Sequence, residues 1–175
     1  VSGEFFVEMM PDGGDIVVFR GIPTTIDNER VAGFEAAIEG SGINILGMEH
    51  GNWNRDDSFA VMQDFLSKYP KIDAVWASDD DMAIGVLAAI KEAGRMDEMW
   101  VLGGAGMKEM IKRVADGDEY VKANVTYPPS MSGTAIEITA LNFVSNAPVS
   151  GKFVIGSVLV TQENAEKFYF PDSPF

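Results

Sequence analysis

Three consecutive acids, Asp79, Asp80 and Asp81, stand in the stretch KYPKIDAVWASDDDMAIGVL, between an apolar run and a run with helical spacing. Carboxylates placed there can hold a cation, cap the free N–H groups of a helix start, or accept hydrogen bonds from the hydroxyls of a neutral ligand. A cation site of the phosphatase or receiver kind needs a companion acid after the first strand, and the loop at that place begins Gly21-Ile22-Pro23. The other two roles are compatible, with Asp79 facing a cleft and Asp80 or Asp81 capping the helix. Three more side chains could join Asp79 in such a cleft. Arg30 offers a planar fork of donors, Trp53 a flat apolar face, and Tyr127 a phenol. Each also has an ordinary reading: Arg30 paired on a helix surface to Asp27 or Glu29, Trp53 packed in the core, Tyr127 packed at a hinge before Pro128 and Pro129. His50, the single histidine, has no serine or cysteine nucleophile arranged with it and reads as a loop residue. No catalytic residue, metal site or cofactor is therefore expected.

The elements that must position these residues follow from the hydrophobic pattern, which alternates between short apolar runs and helical spacing. Strands are expected at Asp15 to Arg20, Ile43 to His50, Ile72 to Ala77, Met99 to Gly104 and Val121 to Tyr127. Helices fall between them, over Asp27 to Gly40, through Phe59, Met62, Phe65 and Leu66 up to Pro70, through Ile84, Leu87 and Ile90 up to Gly94, and over Met107 to Val114. Parallel neighbours need long crossovers, so this rhythm predicts a doubly wound α/β fold with a parallel sheet and helices on both faces. Beyond Tyr127 a further apolar helix is expected from Ser130 to Val144, then a strand and an irregular end. In such sheets ligands bind beyond the carboxyl ends of the strands, which is where Arg30, Trp53, Asp79 and Tyr127 fall. Their joint placement favours the cleft reading, and a hydroxyl-rich ligand with an apolar C–H face suits that set.

The bulk properties narrow the partners. The 175 residues carry a formal charge of −14, from 27 acids against 13 Lys and Arg, which excludes a phosphate-tracking nucleic-acid surface. No GxGxxG or GxxxxGK[ST] follows a strand, and GGAG at Gly103 to Gly106 is too short for a phosphate loop. There is no cysteine, no apolar run of about 18 residues as a membrane span requires, and no signal-peptide pattern at the start. The chain is expected to begin after any targeting segment. Asn124-Val125-Thr126 matches a glycosylation acceptor but lies in an expected strand.

Several stretches together carry a resemblance: GIPTTIDNERVAGFEAAI, WNRDDSFAVMQDFLSKYPKIDAVWASDDDMAIGVLAAIKEAGR, WVLGGAGMKEMIKRVADGD and the ending VTQENAEKFYFPDSPF. In order and over essentially the whole chain, the sequence resembles the periplasmic sugar-binding proteins of ABC transporters, of the ribose-binding type. The resemblance implies two lobes joined by three crossings, of which this chain is the C-terminal one. Residues 1–127 would form that lobe, 128–152 would return to the first lobe, and 153–175 would re-enter the second. It implies Arg30 as bidentate donor to ligand hydroxyls, Trp53 as the aromatic stacked on the sugar, Asp79 as acceptor after the third strand, and Tyr127 at the hinge crossing. One position departs: relatives usually carry an aspartate after the fourth strand where this sequence has Ala105. Asp79 would then be the main carboxylate this lobe offers, and a sugar other than ribose, or a polyol, becomes the expected ligand. The implied partner is a membrane permease, and the implied location periplasmic or extracytoplasmic. An apolar helix stripped of its first-lobe contacts would fold back on the sheet or pair two chains as a homodimer. The effector domain of a lactose-repressor-type regulator shares the fold and pocket, and a flavodoxin-like hydrolase using the aspartates stands as the alternative from another class.

Overall fold

The computed structural model describes residues 1–127, 131–145 and 150–174. The chain opens with a helix, α1 (Ser2–Met9), and then alternates: β1 (Gly14–Arg20), α2 (Thr25–Ile38), β2 (Ile43–His50), α3 (Arg55–Lys68), β3 (Ala74–Ala77), α4 (Asp80–Glu92), β4 (Trp100–Ala105), α5 (Lys108–Ala115) and β5 (Ala123–Thr126). A further helix, α6 (Met131–Val144), and a short strand, β6 (Leu159–Thr161), follow. The sheet order is β2-β1-β3-β4-β5-β6, with every pair parallel except β5 and β6.

Side chains of successive strand residues point to opposite faces, and each face is closed by its own helices. Val17, Phe19, Val75, Ala77 and Val101 face α3, α4 and α5, meeting Met62, Phe65, Val86, Ile90 and Ile111 in one buried cluster. Ile16, Val18, Trp76 and Leu102 face α1 and α2, meeting Phe5, Phe6, Val31 and Phe34 in the other. Phe34 lies flat on Trp76 with ring centroids 4.0 Å apart, which locks α2 over β3. The expected α/β fold with helices on both faces is therefore present.

Local differences have local causes. α2 starts at Thr25 rather than Asp27, because Thr24 is the cap and its Oγ1 accepts from Asp27 N at 3.3 Å. The final strand is short and antiparallel. Phe153 and Val154 have strand-like chemistry but are exposed, since only Leu159 to Thr161 finds a partner, at Ala123 to Val125. α6 begins at Met131, and the expected start at Ser130 lies outside the described residues. So do residues 128–130 and 146–149 of the segment expected to leave the lobe. No residue of α6 is buried, and Ile136, Leu141, Phe143 and Val144 stand open to solvent. Among the described residues no helix is long and apolar enough to cross a membrane.

Candidate functional site

The carboxyl ends of β1, β3, β4 and β5 converge, and three of the four sequence-predicted site residues meet there. Arg30, in the second turn of α2, donates from Nη1 to the carbonyl of Ser78 at 3.1 Å. Its guanidinium lies 4.0 Å from the centroid of the Tyr127 ring, a cation–π contact. The Tyr127 hydroxyl donates to the same carbonyl at 2.8 Å and stands 3.2 Å from Asp79 Oδ2. One proton is thus shared between two acceptors. Burial and the negative charge of Asp79 push the Tyr127 hydroxyl far above the usual phenol range, so it acts as a fixed donor. Beside this group opens a cavity of about 280 Å³ lined by Arg30, Phe34, Trp76, Ser78, Gly104 and Tyr127.

Asp79 divides its two oxygens. Oδ1 caps α4 by accepting from Asp81 N at 2.9 Å, and Oδ2 faces Tyr127. Burial raises its carboxyl above the ordinary range, against hydrogen bonds from the backbone and from Tyr127 that lower it. The sequence assigned capping to Asp80 or Asp81, and the structure gives it to Asp79. Successive residues of a helix project about 100° apart, so the next two acids point to different surroundings. Asp81 turns outward to an exposed ion pair with Arg55 at 2.8 Å. Asp80 turns inward and is fully buried.

Trp53 stands apart from the group. It follows β2 and packs against the α3 and α4 face, whereas Arg30 comes from the α2 face. No hydrogen bond or ring contact joins it to Arg30, Asp79 or Tyr127 among the described residues. Trp53 and the preceding Asn52 both have positive φ, 52° and 56°, a conformation that costs L residues energy. Its indole lies over Gly21, where a Cβ would come within 1.9 Å of Nε1, and that N–H is buried without a partner.

Sequence reasoning missed the supporting roles of Asp27, Asp80, Gly103 and Gly104. Asp27 is fully buried and does not pair with Arg30; it holds Arg20 at 2.6 Å and the N–H of Gly21 at 2.7 Å, fixing the turn from β1 into α2. Asp80 accepts from the N–H of Gly106 at 3.0 Å, of Met107 at 2.8 Å, and from Asn124 Nδ2 at 2.6 Å. It thereby ties α4 to the turn after β4 and to β5. The GGAG stretch provided a signal. A Cβ on Gly103 would lie 2.4 Å from Asp80 Oδ1, and one on Gly104 3.1 Å from the Tyr127 ring. These glycines make room for a carboxylate and a phenol. Ala105, where a relative's aspartate was expected, is buried with φ at 119°, and its carbonyl accepts from the N–H of Tyr127 at 3.2 Å. His50 ends β2 with Nδ1 2.5 Å from the Gly21 carbonyl. Among the described residues no three His, Asp or Glu side chains are grouped to hold a metal.

A planar donor, a half-buried carboxylate and a fixed phenol can bind hydroxyl groups with defined orientation. The family described as periplasmic binding protein domain matches residues 1–157. The chain belongs to that family. Among similar proteins, the ribose import binding protein of Escherichia coli (strain K12) is 29% identical over 164 residues, 93% of this chain and 54% of that protein. The xylitol-binding protein of Mycolicibacterium smegmatis is 30% identical over 160 residues, 87% of this chain and 44% of that protein. A glycerol-bound ABC transporter solute-binding protein from Mycobacterium smegmatis superposes with a TM-score of 0.84 at 31% identity, covering 97% of this chain and 59% of that one. This periplasmic binding protein domain thus spans about half the length of the curated relatives it matches.

Proposed function

We propose that the protein is a receptor for a sugar or polyol, that this chain is its second lobe, and that it delivers the ligand to the membrane permease of an ABC transporter. The observation that carries the reading is the group formed by Arg30, Tyr127 and Asp79 at the ends of β3 and β5, beside an aromatic-floored cavity. Arg30 and Asp79 supply a donor fork and an acceptor for ligand hydroxyls. Trp53 supplies the stacking face once the indole leaves Gly21. Relatives named for ribose and xylitol, and a neighbour holding glycerol, support a neutral polyhydroxylated ligand. No bond is made or broken. Two lobes close on the ligand, which selects the closed state because only there does it touch both.

In this reading residues 128–152 cross to the first lobe, and the exposed apolar side of α6 is the surface that lobe covers. A chain without the first lobe binds ligand weakly, and two copies pair through α6. Sedimentation giving a clean monomer, with α6 protected from hydrogen exchange, would exclude the pairing. The place of action is periplasmic or extracytoplasmic. A thermal-shift screen of pentoses, hexoses and polyols on the full-length protein tests the whole reading. Stabilisation by one of them is expected, and none by any would refute it.

A further inference from the structure

Asp80 and Asn124 form a buried pair that the ligand reading does not use. Asp80 is fully buried at the start of α4 and Asn124 fully buried in β5, their contact being 2.6 Å from Nδ2 to Oδ1. Every partner of the carboxylate is a donor: the amides of Gly106 and Met107 on Oδ2, and Asn124 on Oδ1. Asn124 Oδ1, by contrast, is a buried acceptor with no partner. A buried carbonyl left unpaired beside a buried carboxyl is costly, and it sits within one amide rotation of the group that could donate to it.

The geometry points to a latch that accepts a proton without losing a hydrogen bond. With Asp80 ionised, the Asn124 amide donates to it. With a proton from solvent on Asp80 Oδ1, the amide turns over and the new hydroxyl donates to Asn124 Oδ1, while Gly106 and Met107 keep their bonds to Oδ2. Three hydrogen bonds and one unpaired atom exist in both states, so the turn after β4 and the end of β5, which adjoin Ala105 and Tyr127, stay fixed through the change. Asp80 and Asn124 are thus positioning residues for the site.

The surroundings favour the proton. Burial is the largest influence on Asp80, and the neighbouring charge of Asp79 adds to it against the three donors, so that the carboxyl is pushed up to about 7. Tyr127, just past β5, is a neutral phenol that feels the charge of Asp80, with Arg30 over its ring. Asp81 points away to Arg55, and the turn after β4 contributes only backbone amides.

Asp80→Asn tests the latch, because an asparagine mimics the protonated state: its amide donates to Asn124 Oδ1 and its carbonyl accepts from Gly106 and Met107. The folded carboxyl sits above its unfolded value, so its contribution to stability is greatest at low pH and is lost as pH rises from about 4 toward 7. In the full-length protein the Tm of the parent is expected to fall relative to that of Asp80→Asn across that window, and the variant to match or exceed the parent at pH 8. Asp80→Leu, which cannot hold the turn, should melt lower at every pH. If Asp80→Asn melts as low as Asp80→Leu throughout, Asp80 is an obligate anion and the latch is wrong. Should that variant fail to fold, the parent decides: carbon-13 shifts of the Asp80 carboxyl and nitrogen-15 shifts of the Asn124 side-chain amide must share one midpoint near neutrality. A carboxyl that titrates below pH 5, or an amide that does not move with it, overturns the proposal.

Discussion

Tyr127→Phe removes one hydroxyl and leaves the ring on which Arg30 rests, so its consequences can be worked through atom by atom. Ser78 keeps a donor, because Arg30 Nη1 still reaches its carbonyl at 3.1 Å. Asp79 Oδ2 loses its hydroxyl partner at 3.2 Å and keeps only what water can supply in a half-buried position. A hydrogen bond to an ionised acceptor contributes about 1.5–3 kcal/mol, and the shared proton and partial solvent access bring this one to or below the lower end, about 1–2 kcal/mol. For a chain of this size that is a fall of roughly 2–8 °C in Tm. Urea unfolding should show a lower midpoint with an unchanged slope, since the compactness of neither state changes. The loss depends on pH. The Tyr127 hydroxyl lowers a carboxyl that burial raises, so its removal moves Asp79 further up. A protonated Asp79 has less need of the donor, and the penalty is therefore smaller at pH 4 than at pH 8. A penalty of the same size at both pH values, or one that persists in an Asp79→Ala background, would show that the hydroxyl acts elsewhere.

Three further substitutions separate the roles assigned above. Gly103→Ala should destabilise by about 1–3 kcal/mol in urea unfolding, because the added Cβ meets Asp80 Oδ1 at 2.4 Å and that carboxylate is held from three sides. Arg20→Met leaves the fully buried Asp27 without its cation and should cost about 3–5 kcal/mol, a loss that added salt barely changes; a loss below about 1 kcal/mol would contradict a buried pair. Asp81→Asn breaks only an exposed ion pair and should shift stability by less than about 1 kcal/mol, so a large effect would mean that Asp81 and not Asp79 secures α4.

What the sequence revealed and what it concealed divides along the range of the interaction concerned. The strand and helix order was legible because burial on both faces of a parallel sheet forces near-continuous apolar runs, such as IDAVWA, between helical stretches. The convergence of Arg30, Asp79 and Tyr127 was legible because topology alone puts strand ends together. The partner of Asp27 was not. On a helix surface Arg30 lies three residues away and looks the obvious choice, yet Arg20 reaches it because β1 ends beside the start of α2. Trp53 shows the same limit. Its chain position beyond β2 could be read, but the positive φ of Asn52 and Trp53, which lays the indole over Gly21, is a backbone state that no side-chain pattern announces.

The three aspartates show how one repeated letter yields three chemistries. All arrive at the same helix start, and the 100° step between neighbours sends one along the strand-end group, one into the core and one to solvent. Position in the turn then decides charge. Asp81 faces Arg55 and solvent in a 2.8 Å pair. Asp80, out of water among donors, is raised to about 7. Asp79 lies between these extremes, and with Ala105 supplying no second acid it is the carboxylate this face can present to a hydroxyl. Its Oδ1 is committed to the helix and its Oδ2 is held only by a long, shared contact to Tyr127. In the proposed reading a ligand hydroxyl takes Oδ2 while Tyr127 keeps its shorter bond to Ser78, so that binding need not unmake the support beneath it.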